Sequence, residues 1–154
     1  ERAVAMLNRQ DYVQAIDVLE TVVEQSPGVT APYINMAIAC RRAGRPEQAE
    51  RYFKTALELI PGHPVASNEY GLLCRENGRF AEARTIYEEA LARFPEYYPV
   101  HRNLGILFDL YLNDPASALS HYEIYSRALP DDEQVKLWIV ELQIRLGSHR
   151  PDVD

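Results

Sequence analysis

Long apolar segments are missing from this sequence of 154 residues. Its longest apolar runs are a handful of residues, far short of the roughly 20 that a helix needs to cross a bilayer. We therefore expect no segment that inserts into a membrane. The hydrophobic content of 47% is that of a globular chain long enough to bury one core.

Basic charge is also scarce. The 16 Lys and Arg residues are outnumbered by 23 Asp and Glu residues, which gives a net charge of -7. Proteins that bind nucleic acid neutralise its phosphates with a basic face rich in Lys and Arg. The charge balance therefore argues against a nucleic-acid partner.

The sequence has two cysteines, Cys40 and Cys74. They occupy equivalent positions of a repeated pattern described below, which would place them on neighbouring helices about 8–10 Å apart. A disulfide needs Cα atoms within roughly 7 Å of each other. We interpret both cysteines as small buried apolar residues and draw no conclusion from them about redox compartment.

Catalytic and metal-binding motifs are absent from the sequence as well. It contains no Gly-rich phosphate loop and no His-Glu-x-x-His, Cys-x-x-Cys or Gly-x-Ser-x-Gly pattern. The histidines are scattered, and His101 falls at a core position where we expect a packed, hydrogen-bonded side chain. We interpret Glu88–Glu89 as a solvated helix face and Asp131–Glu133 as a helix start. The chain is therefore predicted not to be an enzyme and to hold no metal ion and no cofactor.

What the sequence does contain is one pattern repeated at an offset of 34 residues. The repeated positions are small, aromatic, small and proline. They are Ala49, Phe53, Ala56 and Pro61 in one copy, and Ala83, Tyr87, Ala90 and Pro95 in the next. Less regular copies occur upstream, ending at Pro27, and downstream, ending at Pro130 after a one-residue insertion. The sequence is therefore a repeat array.

Apolar spacing predicts two helices in each repeat. Tyr33, Met36, Ala37 and Cys40 are separated by 3, 1 and 3 residues, which places them on one face of a helix. Gly44 then marks the end of that helix. Small residues at the crossing points and aromatic residues between them would let the paired helices approach closely.

This combination of period and positions resembles the tetratricopeptide repeat. The resemblance covers residues 1 to about 130 and implies an all-α fold, a right-handed superhelix of about four helix-turn-helix repeats. The predicted repeats are approximately 1–29, 30–63, 64–97 and 98–131. A capping helix at 132–147 completes a single domain at 1–147, and a flexible tail is expected at 148–154.

Three departures from the pattern are expected to matter. In repeat four, Asp114 should cap the second helix and Pro115 should be its first residue. Tyr125 stands there in place of a small residue, so we expect that helix pair to be splayed. Repeat one starts part-way through its first helix, with Arg2 at an apolar position, so that helix should fray.

Because the sequence begins part-way through the first helix of repeat one, we expect natural sequence to precede residue 1. A signal peptide or lipid anchor could lie in such a segment. The compartment is therefore left open between the bacterial cytoplasm and the periplasm.

Each first helix carries a second stripe of side chains, rotated away from its core face. The resemblance implies that the first helices line a concave channel, so we predict that this stripe binds a partner. The predicted groove residues are Ile34, Asn35, Ile38, Arg41, Arg42, Asn68, Leu72, Arg75, Arg102, Asn103 and Ile106.

The groove chemistry suits a polypeptide. Its isoleucine and leucine residues would form an apolar floor inside a polar rim, which fits an extended peptide or an amphipathic helix. The asparagines can donate to and accept from a peptide backbone. The alternative is that these residues only support neighbouring helices.

The predicted groove is less acidic than the chain as a whole. It holds four arginines against three nearby acids, Glu69, Glu76 and Asp109, a balance of +1 in a chain of -7. This favours a partner with an acidic or C-terminal carboxylate segment. The carboxylate clamp of some tetratricopeptide domains needs basic residues where this chain has Val65 and Glu69, so we expect that clamp to be absent.

A possible second interface lies on the capping helix. Leu137, Val140 and Ile144 form an apolar stripe that could dock a partner, a second copy of the chain, or further natural sequence. The alternative is that the stripe packs on repeat four.

Three functional hypotheses follow. The first is a non-catalytic scaffold or adaptor that binds a peptide or helix of a partner protein in the groove. The second is an assembly component, either self-associating or part of a bacterial envelope complex, that uses its terminal helices. The third is the targeting module of a larger enzyme.

Overall fold

The computed structural model describes residues 11–147, which form eight α-helices and no strand. The helices are α1 Tyr12–Gln25, α2 Thr30–Arg42, α3 Pro46–Leu59, α4 Pro64–Glu76, α5 Phe80–Arg93, α6 Tyr98–Leu110, α7 Pro115–Ala128 and α8 Glu133–Gly147. The expectations for the first helix of repeat one, including Arg2, and for the tail at 148–154 concern residues outside the described range.

The helices pack mainly on their neighbours in the chain. The pairs α2 and α3, α4 and α5, and α6 and α7 make the most extensive contacts, while α1 packs on α2 and α8 packs on α7. The first helices of successive repeats also touch, α2 against α4 and α4 against α6. This confirms the predicted all-α solenoid of helix pairs, in which each repeat is stabilised by the adjacent ones.

Close approach within a pair depends on glycine at two crossings. Tyr87 is 0% exposed and its ring lies against Gly71, where an added Cβ would overlap the ring atoms. Tyr122 lies in the same way against Gly105, where a Cβ would come within 2.5 Å of two ring carbons. A side chain at either glycine would therefore push the paired helices apart.

The turns between helices use left-handed backbone. Gly44 and Gly78 both have φ +75°, and the residue after each donates its amide to a carbonyl five residues back, at 2.8 Å. In repeat four this place is taken by Asn113, with φ 49°, because Asn tolerates this conformation better than most residues. Asp114 then accepts hydrogen bonds from the backbone amide and hydroxyl of Ser117, at 3.1 and 2.7 Å, which confirms the predicted cap.

The expected splaying of repeat four is wrong. Helices α6 and α7 pack as extensively as the other pairs. The bulk of Tyr125 does not separate them because its hydroxyl donates to Asp132, at 2.9 Å, just before α8. The large side chain fills space between repeat four and the capping helix.

A pair of histidines lies between α6 and α7. His101 is 7% exposed, with Nε2 at 2.8 Å from the carbonyl oxygen of Pro95 and Nδ1 at 3.0 Å from Nδ1 of His121. A carbonyl can only accept, so Nε2 of His101 carries the proton and its Nδ1 accepts the Nδ1 proton of His121. The predicted packing and hydrogen bonding of His101 are confirmed, and both tautomers are fixed.

The cysteines are both buried and unpaired, which confirms their interpretation as small core residues. Burial raises the pKa of each thiol to about 11, so neither is a reactive thiolate at neutral pH. Across residues 11–147, no helix combines the length and hydropathy that a bilayer crossing requires.

Candidate functional site

Most of the predicted groove residues share one surface of the solenoid. They project from the mutually contacting first helices α2, α4 and α6 without entering the core. We call this set the first-helix surface. Its members are Asn35, Ile38, Arg41, Arg42, Asn68, Leu72, Arg75, Arg102, Asn103 and Ile106, each half-buried or exposed.

Ile34 does not belong to this surface. It is 5% exposed and lies in a core cluster with Leu19 of α1 and Tyr33. Its equivalents in the next two repeats, Asn68 and Arg102, stay half-buried. The neighbour on the N-terminal side therefore covers Ile34, and the structure removes it from the predicted apolar floor.

Three apolar side chains remain on the surface. Ile38, Leu72 and Ile106 are separated by steps of 34 residues and are all half-buried. Ile38 and Ile106 also pack against the main core cluster. Two of the three side chains are therefore held in place by the core, and all three remain partly exposed, as expected of a preformed apolar contact surface.

Polar contacts join neighbouring repeats along this row. The side-chain amide of Asn103 donates to the amide oxygen of Asn68, at 2.7 Å. One repeat further on, the guanidinium of Arg102 lies over the ring of Trp138, 5.0 Å from its centroid. Helix α8 therefore continues the stacking of the first helices.

Three of the four arginines make contacts within the chain. Arg41 is bound to Glu76 at 3.0 Å and to Glu69 at 3.5 Å, and its side chain is only 14% exposed. Arg102 lies 3.6 Å from Asp132, and Arg42 sits over the ring of Tyr12. The positive balance predicted from residue counts is therefore offset, because Arg41 together with Glu69 and Glu76 carries a net charge of -1 and Arg102 is paired with Asp132.

Arg75 differs from the other arginines. Among the described residues no acid lies within ion-pair distance of it. Its Nη1 atom is buried without a hydrogen-bond partner, and the hydroxyl of Tyr87 is buried in the same condition. Residue counting could not single out Arg75, because only the coordinates show which charges are paired.

The apolar stripe of the capping helix is open. Leu137, Val140 and Ile144 are 60%, 50% and 66% exposed, while Val135 and Leu142 on the same helix are fully buried. At least half of each of these side chains is therefore exposed to solvent, and the role of the stripe as a second interface stays a prediction.

Other features of residues 11–147 do not suggest a chemical site. A cleft of about 460 Å³ lies between Pro64 and the turn from Phe94 to Tyr97, and it is lined by none of the predicted groove residues. Within this range no three His, Cys, Asp or Glu side chains come together as metal ligands.

Paired helices, a 34-residue period and glycines under tyrosines define a helical-repeat protein. A family model described as Tetratricopeptide repeat matches residues 34–98. Residues 34–98 are therefore similar to tetratricopeptide repeats, and the rest of the described chain shares their fold. Tetratricopeptide-repeat proteins are generally non-catalytic interaction modules, and this fold supports a general role in protein–protein interaction.

Solved structures with the same fold include one from a functional characterization of Pseudomonas aeruginosa pilF. It has a TM-score of 0.86 and 24% identity, and the match covers 95% of this chain but 66% of that one. A structure of MamA from Desulfovibrio magneticus RS-1 has a TM-score of 0.79 and 19% identity, with 96% and 83% covered. A thermophilic tetratricopeptide-repeat protein of Thermus thermophilus has a TM-score of 0.77 and 20% identity, with 92% and 78% covered. These likenesses establish the fold.

No curated protein matches the chain.

Proposed function

We propose that the chain is a non-catalytic adaptor that holds a peptide segment or helix of a partner protein against the first-helix surface, which forms the concave groove of the solenoid. The observation that carries this proposal is the row of Ile38, Leu72 and Ile106. The three side chains recur at one position of successive repeats and remain half-buried on a surface rimmed by polar groups.

The row and its rim complement a polypeptide in two ways. The exposed parts of Ile38, Leu72 and Ile106 can pack against alternate side chains of an extended peptide, or against one face of a helix. The bond between Asn103 and Asn68 leaves the Nδ2 group of Asn68 and the Oδ1 atom of Asn103 to pair with peptide groups. Apolar contacts then supply affinity, and the amides fix direction and register.

The proposed partner segment carries acidic residues. Arg75 and the partly exposed Arg102 place positive charge on this surface in a chain whose net charge is -7. An acidic segment would meet attraction there and repulsion over much of the remaining surface. Arg41 contributes little, because Glu69 and Glu76 already neutralise it.

Crosslinking in cells tests the proposal. A photoreactive residue at position 72, followed by mass spectrometry, should capture the partner, whereas the same residue at Arg51 on the exposed side of α3 should not. Leu72→Arg should then weaken binding of that partner by about tenfold or more, because a charge replaces a central apolar contact.

Leu59→Arg is the matched control, since Leu59 is an exposed leucine at the end of a second helix. It should leave binding within about twofold, and both variants should melt near the parent temperature. Equal capture by the parent chain and Leu72→Arg would contradict binding at the first-helix surface.

A second candidate function is assembly through α8. The observation that favours it is the stripe of Leu137, Val140 and Ile144, each at least half exposed. Light scattering at high concentration should then show a dimer, and Leu137→Asp should return it to a monomer, because a carboxylate would be buried in the apolar contact. A parent chain that stays monomeric would remove self-association.

A further inference from the structure

The outer face of α8 carries an apolar row. Leu137, Val140 and Ile144 are each at least half exposed, while the opposite face of the helix is buried. The terminal repeats of soluble arrays carry a polar outer face, because no further repeat covers them. Exposed apolar side chains grouped at this place therefore indicate a contact with another polypeptide.

Helix α8 stacks on repeat four in the register of a first helix. Its Val135 and Leu142 are 0% exposed and belong to the main core cluster. Val100 and Leu107 precede them by 35 residues in α6 and are equally buried. The two helices therefore bury the same positions, and an offset of 35 residues relates one to the other.

The same offset shows that the second helix of an ordinary repeat does not fit on α8. It places Val140 at the position of Gly105, where an added Cβ would come within 2.5 Å of two ring carbons of Tyr122 in the paired helix. Val140 has that Cβ and two further methyl groups. An aromatic residue that packed on α8 as Tyr122 packs on α6 would overlap them.

The exposed row instead has the spacing of a coiled-coil seam. Leu137, Val140 and Ile144 are separated by 3 and 4 residues, the a, d, a pattern through which two helices pack side by side. Val135 and Leu142 then fall at the f position, on the side of α8 away from the seam. Helix α8 can therefore accept another helix on its outer face and keep its packing on α7.

Opposite charges flank this seam. Lys136 stands at the g position and Glu141 at the e position, and both are exposed. In a parallel pair of helices, the g residue of one lies beside the following e residue of the other. Two copies of α8 that run in the same direction therefore bring each Lys136 beside a Glu141. An antiparallel pair would bring Lys136 beside Gln143 of the second copy, where no ion pair forms.

Lys136 is not committed to another partner. Its ammonium lies 3.2 Å from Glu133 of the same helix, and both side chains are exposed, at 45% and 79%. An ion pair between exposed side chains contributes at most about 1 kcal/mol. The ammonium can therefore turn to Glu141 of a second copy at little cost.

We propose that the partner of α8 is the α8 helix of a second copy of this chain, packed parallel to it about a twofold axis. Leu137, Val140 and Ile144 form the seam, and Lys136–Glu141 pairs close it on both sides. This rests on the second candidate function, assembly through α8, and deepens it by naming the occupant and its orientation. Three seam residues from each copy are few, so the dimer is weak and depends on concentration.

Sedimentation velocity over a series of concentrations of the full chain tests the charge pairing. Lys136→Glu and Glu141→Lys each place like charges on both sides of the seam, so each should weaken dimerisation about tenfold. An equal mixture of the two variants should form a mixed dimer with about the parent affinity, because every flanking pair is then of opposite charge.

The matched controls are Arg51→Glu and Glu58→Lys, the same charge reversals at exposed positions of α3. They change the net charge as the test variants do, but at positions that the seam does not include. Each should leave dimerisation within about twofold of the parent.

Leu137→Cys tests the orientation. Parallel packing places the two copies of this residue across the axis, so mild oxidation should join them in a disulfide-linked dimer. The native Cys40 and Cys74 are buried and do not compete. Leu59→Cys, at an exposed leucine of α3, is the control for random collisions and should give far less of the linked dimer. A disulfide that forms only between Leu137→Cys and Ile144→Cys chains would show antiparallel packing and overturn the proposal.

The outcomes separate this orientation from self-association itself. A dimer that Leu137→Asp dissolves but that neither charge reversal weakens would overturn the parallel pairing and leave assembly through α8 intact. A dimer that Leu137→Asp leaves unchanged would overturn both, and so would a chain that stays monomeric at every concentration. Binding at the first-helix surface is tested separately, by crosslinking from position 72.

Discussion

Gly71→Ala is expected to lower the free energy of unfolding by about 2 kcal/mol. The added Cβ would overlap the Cε1 and Cζ atoms of Tyr87 and lie 2.7 Å from its Cδ1. Because Tyr87 is 0% exposed, its ring cannot swing into solvent, and α4 and α5 must separate. Overpacking of this kind costs up to about 3 kcal/mol, from which about 1 kcal/mol is recovered because Ala is a better helix former than Gly.

Urea denaturation followed by circular dichroism would measure this loss. Gly28→Ala is the matched control, since nothing lies within 4 Å of a Cβ at Gly28, and its stability should stay within about 0.5 kcal/mol of the parent. A neutral or stabilising Gly71→Ala would show that the tyrosine can relocate and that the glycine is not required by packing.

The same position shows how far sequence reasoning could go. The pattern identified a small residue at each helix crossing, and the structure confirms close approach there. It did not distinguish Ala37 of repeat two, where the equivalent aromatic residue is Phe53, from Gly71 and Gly105, which lie against tyrosines. That difference depends on where each aromatic ring lies, and periodicity does not encode ring positions.

Surface predictions failed where a repeat meets an unlike neighbour. Ile34 was predicted to be open by equivalence with the middle of the array, but contact with α1 buries it. Tyr125 was expected to splay its helix pair, but α8 provides the space that an ordinary repeat would not. Equivalence between repeats is dependable for the core, because each core position meets the same surroundings. It weakens at the ends, where the surroundings change.

Charge counting failed for a different reason. The sequence placed four arginines on the predicted groove, but it did not show that Glu76, 35 residues after Arg41, would bind that arginine. Nor did it show that Arg75 and Tyr87 would be left with buried, unpartnered atoms. Ion pairs between repeats depend on side-chain geometry, so the identity of the unpaired charge is information that only the structure supplies.

The histidine pair should make the chain lose stability in mild acid. Burial lowers the pKa of His121 to about 4, with a smaller contribution from the nearby His101. A histidine of the unfolded chain titrates near 6.5. Between these values the unfolded chain binds a proton that the folded chain does not, so the free energy of unfolding falls as the pH falls. Above pH 6.5 both states are neutral and the effect vanishes.

The surroundings set the size of this loss. Glu88 of α5 is the acid that acts on His121 and favours its charged form. Phe108 stacks on the ring of His121, and the guanidinium of Arg84 lies over the ring of Phe108. We expect a loss of about 2 kcal/mol between pH 7 and pH 4.5, less than the whole shift implies because the ring keeps some contact with solvent.

His121→Gln isolates this contribution, because the Gln side chain can still donate to His101 but does not titrate. Urea denaturation at pH 7, 6, 5 and 4.5 should give a smaller decline for the variant than for the parent, and the difference should appear only below about pH 6.5. The variant differs from the parent only at position 121, so the difference between the two declines reports the contribution of His121. Equal declines of the free energy of unfolding in the two chains would mean that groups other than His121 bind the protons, and that the contact between α6 and α7 tolerates a charged imidazole.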